Sequence, residues 1–250
     1  MSDDETFADD AASLARRVVS LIDLTDLADD RSANGLDQLA DAARRFGVAA
    51  VCVWPKHVGR LRAALEGSPV RVATVADFPD PTGQRDPVIA EVRAVLDAGA
   101  HEVDLVVARD EILAGRIEEA AATVSAAAEL VHDAGALLKV LLESGELDAD
   151  DVRRVARGAA ASGADVLKTS TGKRGPGASV LAVDAMADVV AEFVGERAIG
   201  LKPSGGIGTL DAAAAYLEVV DRRFGADWAT PSTFRFGASS LLRAAAEHLD

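Results

Sequence analysis

Cysteine is almost missing from this chain: Cys52 is the only one in 250 residues. One thiol excludes an internal disulfide and any zinc site built on several cysteines. The four histidines, at 57, 101, 132 and 248, form no HExxH or other paired spacing. No metal site is therefore expected; no cofactor is expected either. No serine lies in a GxSxG context, so a hydrolase of that design is not expected either. Apolar runs fall short of the ~18 residues a bilayer span needs, which argues against a membrane partner. The opening MSDDETFADD has no basic-then-apolar pattern, and a cytoplasmic protein is expected. Basic residues are also in deficit, 26 against 41 acidic ones, for a net charge of −15. Such a field repels phosphodiester backbones, so nucleic acid is not an expected partner. An anionic small molecule would need a local basic pocket.

The scarcest charge is lysine. There are 5, against 21 arginines, and their placement is the most informative feature of the sequence.

Short β-branched runs alternate with Ala-rich stretches of helical period. Strands are expected over 18–24, 48–54, 70–75, 103–107, 137–142, 165–169, 198–202 and 233–237. Leu36, Leu39, Ala43 and Phe46 fall on one helix face between the first two. Val152, Val155 and Ala159 repeat the pattern after the cap signal Asp148, as do Leu210, Ala213, Ala214 and Leu217 after Thr209. Gly99, Gly135 and Gly163, each between small residues, close helices and open strands at intervals of 36 and 28 residues, about one βα unit each. No Pro/Ser/Gly linker interrupts the series. Residues 1–250 are expected to form a single α/β domain, a closed (β/α)8 TIM barrel over 18–250 with an extra N-terminal helix over 1–17. A doubly wound open sheet is the main rival. A homo-oligomer is compatible with the apolar helix faces.

Barrel enzymes carry their chemistry at the C-terminal ends of the strands. Four of the five lysines lie there: Lys139 on strand five, Lys168 and Lys173 at and beyond strand six, and Lys202 on strand seven. A lysine amine can lose its proton and attack a carbonyl to form a Schiff base, which arginine cannot. Its ordinary pKa of about 10.4 leaves it protonated at neutral pH, but burial and nearby positive charge lower that value. Asp104, on strand four, supplies a carboxylate for charge balance and proton transfer. The competing reading is a buried ion network in which Asp104 and Glu143 neutralise the lysines.

Three polar loops follow strands six, seven and eight: Thr171-Gly172-Lys173-Arg174-Gly175, Ser204-Gly205-Gly206-Ile207-Gly208 and Ala238-Ser239-Ser240. Glycines let backbone N–H groups approach a phosphate closely. A barrel of this class commonly binds phosphate in the loops after strands seven and eight. TSTGK is not a Walker loop, because the GxxxxGK spacing fails. Asp23 suits a substrate hydroxyl or a strand-end cap. Cys52 suits a ligand contact or a packed core thiol.

In combination, DLTDL, AAVCVWP, ATVADFP, EVDLVV, LLKVLLESGEL, ADVLKTSTGK, GLKPSGGI and FRFGASSLL resemble the deoxyribose-phosphate aldolase family. The likeness runs from about residue 18 to 243, in order. It implies a metal-free Schiff-base lyase on a (β/α)8 barrel, which cleaves 2-deoxy-D-ribose 5-phosphate reversibly to D-glyceraldehyde 3-phosphate and acetaldehyde. Residue by residue, it implies Lys168 as the Schiff-base lysine, Lys202 as the residue that lowers its pKa, and Asp104 as the acid/base. It places Asp23, Cys52, Lys139 and Thr171 in the substrate pocket. It places Gly172, Lys173, Gly205, Gly206, Ser239 and Ser240 around the phosphate. The pattern departs at Gly208, where relatives often carry a basic residue. Alternatives are another Schiff-base aldolase or transaldolase with a different sugar phosphate, and a non-catalytic phosphosugar-binding barrel.

Overall fold

The computed structural model describes residues 3–249. Its strands are β1 (Ile22–Asp26), β2 (Ala50–Val53), β3 (Arg71–Ala76), β4 (Glu102–Val106), β5 (Leu137–Leu141), β6 (Val166–Lys168), β7 (Gly200–Lys202) and β8 (Phe236–Ala238). The helices are α1 (Asp3–Ser20), α2 (Ala33–Phe46), α3 (Val58–Ala64), α4 (Arg85–Asp97), α5 (Arg109–Leu113), α6 (Ile117–Asp133), α7 (Ala149–Ala161), α8 (Val180–Glu192), α9 (Leu210–Phe224) and α10 (Leu241–Ala246). No helix among the described residues is long and apolar enough to cross a membrane.

All neighbouring strands are parallel, in the order β7-β6-β5-β4-β3-β2-β1-β8. The ring closes between β7 and the approach to β8, where Leu201 faces Phe234 and Ser204 faces Gly237. Backbone bonds from Arg235 N–H to Leu201 O and from Gly237 N–H to Pro203 O, both 2.9 Å, hold that seam. The architecture is a (β/α)8 barrel. A parallel strand in a barrel is covered on both faces, by helices outside and by interior side chains within. That is why β2, β4, β6, β7 and β8 are buried at every position.

Local chemistry explains the joints. Asp148 caps α7 by accepting from the N–H groups of Asp150 and Asp151, and Thr209 caps α9 by accepting from Ala212. Gly99, Gly135 and Gly163 carry φ of 93°, 66° and 105°, a region in which a Cβ is penalised.

Most strand ends lie within one or two residues of the sequence expectation, and two boundaries depart further. The extra helix does not stop at residue 17, and the first strand does not open at 18: α1 continues through Ser20 and β1 begins at Ile22. Val18 and Val19 resemble the start of a strand in composition. With Ala15, however, they fall at helical spacing and are buried where α1 packs on α9 and α10. Arg17 anchors that turn, donating to Asp221 on α9 at 2.7 Å. Residues 1 and 2, also expected in this helix, and residue 250 of the expected domain lie outside the described residues. The last strand was expected over 233–237 and forms at Phe236–Ala238. Thr233 instead closes a turn with Thr230, whose carbonyl accepts from Phe234 N–H at 2.8 Å.

Candidate active site

Register brings the chemistry together. Across β4 and β5 Asp104 stands beside Lys139, and across β6 and β7 Lys168 stands beside Lys202. Asp104 is the hub. One carboxylate oxygen accepts from Lys139 Nζ at 2.8 Å; the other accepts from Lys168 Nζ at 2.7 Å and Lys202 Nζ at 2.8 Å. Lys202 also donates to Asp23. Lys139 lies 2.6 Å from a Glu102 carboxylate oxygen. Alternate residues of a strand share a face, so Glu102 projects into the barrel one layer below Asp104. Beneath them Arg235 donates to Asp23 and, at 2.9 Å, to Glu102. Interior layers of such barrels are usually filled by branched apolar side chains; here they hold seven charged ones, all buried.

Glycine makes the room. A Cβ on Gly237 would stand 2.5 Å from Ser204 Oγ and 3.1 Å from Lys202 Cε.

The lysines separate electrostatically. For Lys139, burial disfavours the charge, but Asp104, Glu102 and Asp23 outweigh it and hold the amine above its ordinary range. Burial likewise opposes charge on Lys202, and Asp104 with Asp23 overcomes it. Lys168 has Asp104 as its one carboxylate contact and shares that group with two other lysines. Burial there prevails over Asp104, with help from the positive charge of Lys202, and its pKa falls. Both causes expected from the sequence, burial and neighbouring positive charge, act here, and burial is the larger. Asp104 itself is held well below the usual carboxylate range, because the three lysines outweigh the cost of burying it.

Above this cluster, at the C-terminal mouth, opens a cleft of about 650 Å³. Thr171 and all six of the expected phosphate residues, Gly172, Lys173, Gly205, Gly206, Ser239 and Ser240, line it. Lys168 precedes this wall by three residues. The backbone N–H groups of Gly205, Gly206, Ser239 and Ser240 donate to no other group among the described residues, so they are available to an anion. The loops cross at glycine: a Cβ on Gly177 would stand 2.3 Å from the Gly205 carbonyl oxygen. Lys173 reaches across the mouth and donates to Leu27 O at 3.0 Å.

Some expected residues take other partners. The Thr171 hydroxyl donates to Glu143 at 2.7 Å and accepts from Lys173 N–H at 3.1 Å, so it holds the loop. Glu143 therefore takes no part in neutralising the lysines; Asp23 and Glu102 join Asp104 in that task. Cys52 is fully buried with Leu27, Ala50, Ala73 and Val75, and burial pushes its thiol up to about 11.

Sequence reasoning passed over Glu102, Arg235 and Arg31. Glu102 carries a signal, since it sits two residues before Asp104 and shares its face. Arg235 bears the same relation to Gly237, although it stands outside the regular strand. Arg31 lines the cleft and pairs with Asp26, in a loop with no local pattern to mark it.

Comparisons with known proteins agree with this architecture. Residues 17–246 match the family model described as DeoC/LacD family aldolase. The deoxyribose-phosphate aldolase of Agrobacterium fabrum is 41% identical over 232 residues, covering 91% of this chain and 88% of the relative. Among solved structures, a protein assigned as a deoxyribose-phosphate aldolase from Coccidioides immitis has a TM-score of 0.82 at 26% identity, covering 99% of this chain and 98% of that one. Another so assigned, from Toxoplasma gondii, has a TM-score of 0.86 at 25% identity, covering 96% and 97%. The likeness thus spans both the barrel that gathers the lysines and the loops that wall the cleft, and the chain belongs to the DeoC/LacD family of aldolases.

Proposed function

We propose that the protein is a deoxyribose-phosphate aldolase that works through a Schiff base on Lys168. One observation carries the reading: three buried lysines converge on a single carboxylate, and the one with a lowered pKa lies three residues before Thr171, in the wall of a cleft lined by glycine and serine loops. In the cleavage direction, the neutral amine of Lys168 attacks the aldehyde carbon of 2-deoxy-D-ribose 5-phosphate. Loss of water leaves an iminium, which serves as the electron sink. A base removes the proton of the hydroxyl two carbons away, the carbon–carbon bond breaks, and D-glyceraldehyde 3-phosphate departs. The enamine left on Lys168 takes a proton at its methylene carbon, and water releases acetaldehyde and the free amine. Asp104, held ionised and acting through water, and Lys202, held protonated, are the pair that moves these protons.

The phosphate is a dianion in a protein of net charge −15, so its site must be locally favourable. Lys173 and the free N–H groups of the two glycines and two serines fit that need. Held there, the substrate has its aldehyde oriented for attack. The reading carries with it a cytoplasmic setting, in keeping with one buried cysteine and an acidic composition.

The test is borohydride trapping. Incubation with acetaldehyde, reduction, digestion and mass analysis should find an ethyl adduct on Lys168, and Lys168→Ala should lose both adduct and turnover. A folded protein that yields no adduct would bring forward the alternative of a phosphosugar-binding barrel without catalysis.

A further inference from the structure

Among the described residues the barrel interior holds four cations, Lys139, Lys168, Lys202 and Arg235, and three carboxylates, Asp23, Glu102 and Asp104. Buried charges are strongly disfavoured unless paired, so such a cluster tends to shed one proton. Which group sheds it depends on how the carboxylates are shared. Arg235, whose guanidinium stays protonated, binds Glu102 and one oxygen of Asp23. Lys139 must then share what remains of Glu102 with a contact to Asp104, and Lys202 must divide itself between Asp23 and Asp104. Lys168 is left with one oxygen of Asp104, and Lys202 already occupies that oxygen.

Building on the aldolase reading above, we infer that Arg235 is a positioning residue for the reaction: from the far end of the barrel it takes up carboxylate that would otherwise pair the lysines, and so makes Lys168 the cation without a partner of its own. The neutral form of the cluster is then the form with a nucleophilic amine. Iminium formation restores one positive charge at the same place. Arg235 touches neither substrate nor cleft. It and Glu102 border a separate cavity of about 370 Å³ with Arg71, Leu137 and Pro231, at the other mouth. The charged and titratable groups facing Lys168 are Asp104 on β4, Lys202 on β7 and Cys52 on β2. Those facing Arg235 are Asp23 on β1, Glu102 on β4 and Lys139 on β5.

A pair that only braced the barrel would change stability without moving the protonation of Lys168. The experiment therefore follows the rate of the Lys168 ethyl adduct, formed with acetaldehyde and cyanoborohydride, as a function of pH. The proteins compared are the wild type, Arg235→Met, Glu102→Gln and the double variant. Arg235→Met leaves three cations on three carboxylates, and the midpoint of the profile should rise by about one unit, the lower end of the effect of a single neighbouring charge. Glu102→Gln leaves four cations on two carboxylates, and the midpoint should fall. The double variant has one cation more than carboxylates, as in the wild type, and its midpoint should return towards the original. Midpoints that stay put in folded variants, or that move the same way in both single variants, overturn the inference. If Arg235→Met does not fold, Glu102→Gln decides: a lowered midpoint supports the inference, and an unmoved or raised one overturns it. Wild-type protein that gives no adduct on Lys168 overturns the aldolase reading and this inference with it.

Discussion

Replacing Lys202 by leucine tests the electrostatic account directly. The change removes the cation that shares an Asp104 oxygen with Lys168. It leaves three cations on three carboxylates, so Asp104 can serve Lys168 more fully, and the charge that disfavoured protonation of Lys168 is gone. Losing a like charge at this range raises a pKa by about one to three units. Below its pKa the neutral fraction of an amine changes tenfold per unit, so kcat/KM on the acidic limb of the pH–rate profile should fall about 10- to 1000-fold from this cause alone. The acidic limb of the pH–rate profile should move to higher pH by the same one to three units, because more alkali is needed to free the amine. Breaking a buried ion pair commonly costs 3–5 kcal/mol, and here about 3, since the remaining charges balance. For a chain of this size that lowers Tm by about 6–12 °C. The profile would be measured by coupling release of glyceraldehyde 3-phosphate to a dehydrogenase, with circular dichroism to confirm folding. A folded variant whose acidic limb does not move refutes the role given to Lys202.

Three further outcomes are expected. Gly177→Ala would force a Cβ against the Gly205 carbonyl oxygen at 2.3 Å. It should cost about 1–3 kcal/mol and raise KM for the phosphorylated substrate, while adduct formation with acetaldehyde persists; an unchanged KM would deny that these loops hold phosphate. Lys173→Met should raise KM for the phosphorylated substrate by about 10- to 100-fold, the worth of one charged hydrogen bond, and leave unphosphorylated deoxyribose nearly unaffected; equal loss with both would count against a phosphate contact. The Cys52 thiol, fully buried and raised to about 11, is mostly protonated at pH 8 and should react with iodoacetamide only after unfolding. Prompt labelling of the native protein would contradict its burial.

The barrel was legible because its period is local. Alternation of β-branched runs with helical stretches, Asp148 and Thr209 as caps, and glycines at 99, 135 and 163 each act through neighbours within one turn. Val18 and Val19 were misread because a short apolar run suits a strand or a buried helix end equally well, and burial against α9 and α10 settled the matter. Lys168, Lys202 and Asp104 stood out because lysine is rare here and strand ends are where this architecture gathers chemistry.

From residue order alone, then, come the alternation of strands and helices, the three lysines and Asp104 on the strands, and the Gly/Ser loops that follow them, since these are marked by local pattern and composition. The sharing of charge does not. That Glu102 and Arg235 complete the cluster, that Glu143 turns aside to Thr171, and that Lys168 rather than Lys139 or Lys202 has the lowered pKa depend on contacts between residues as far apart in sequence as Asp23 and Arg235. Electrostatic energy inside a barrel is set by distance and burial, and both arise only when the eight strands close.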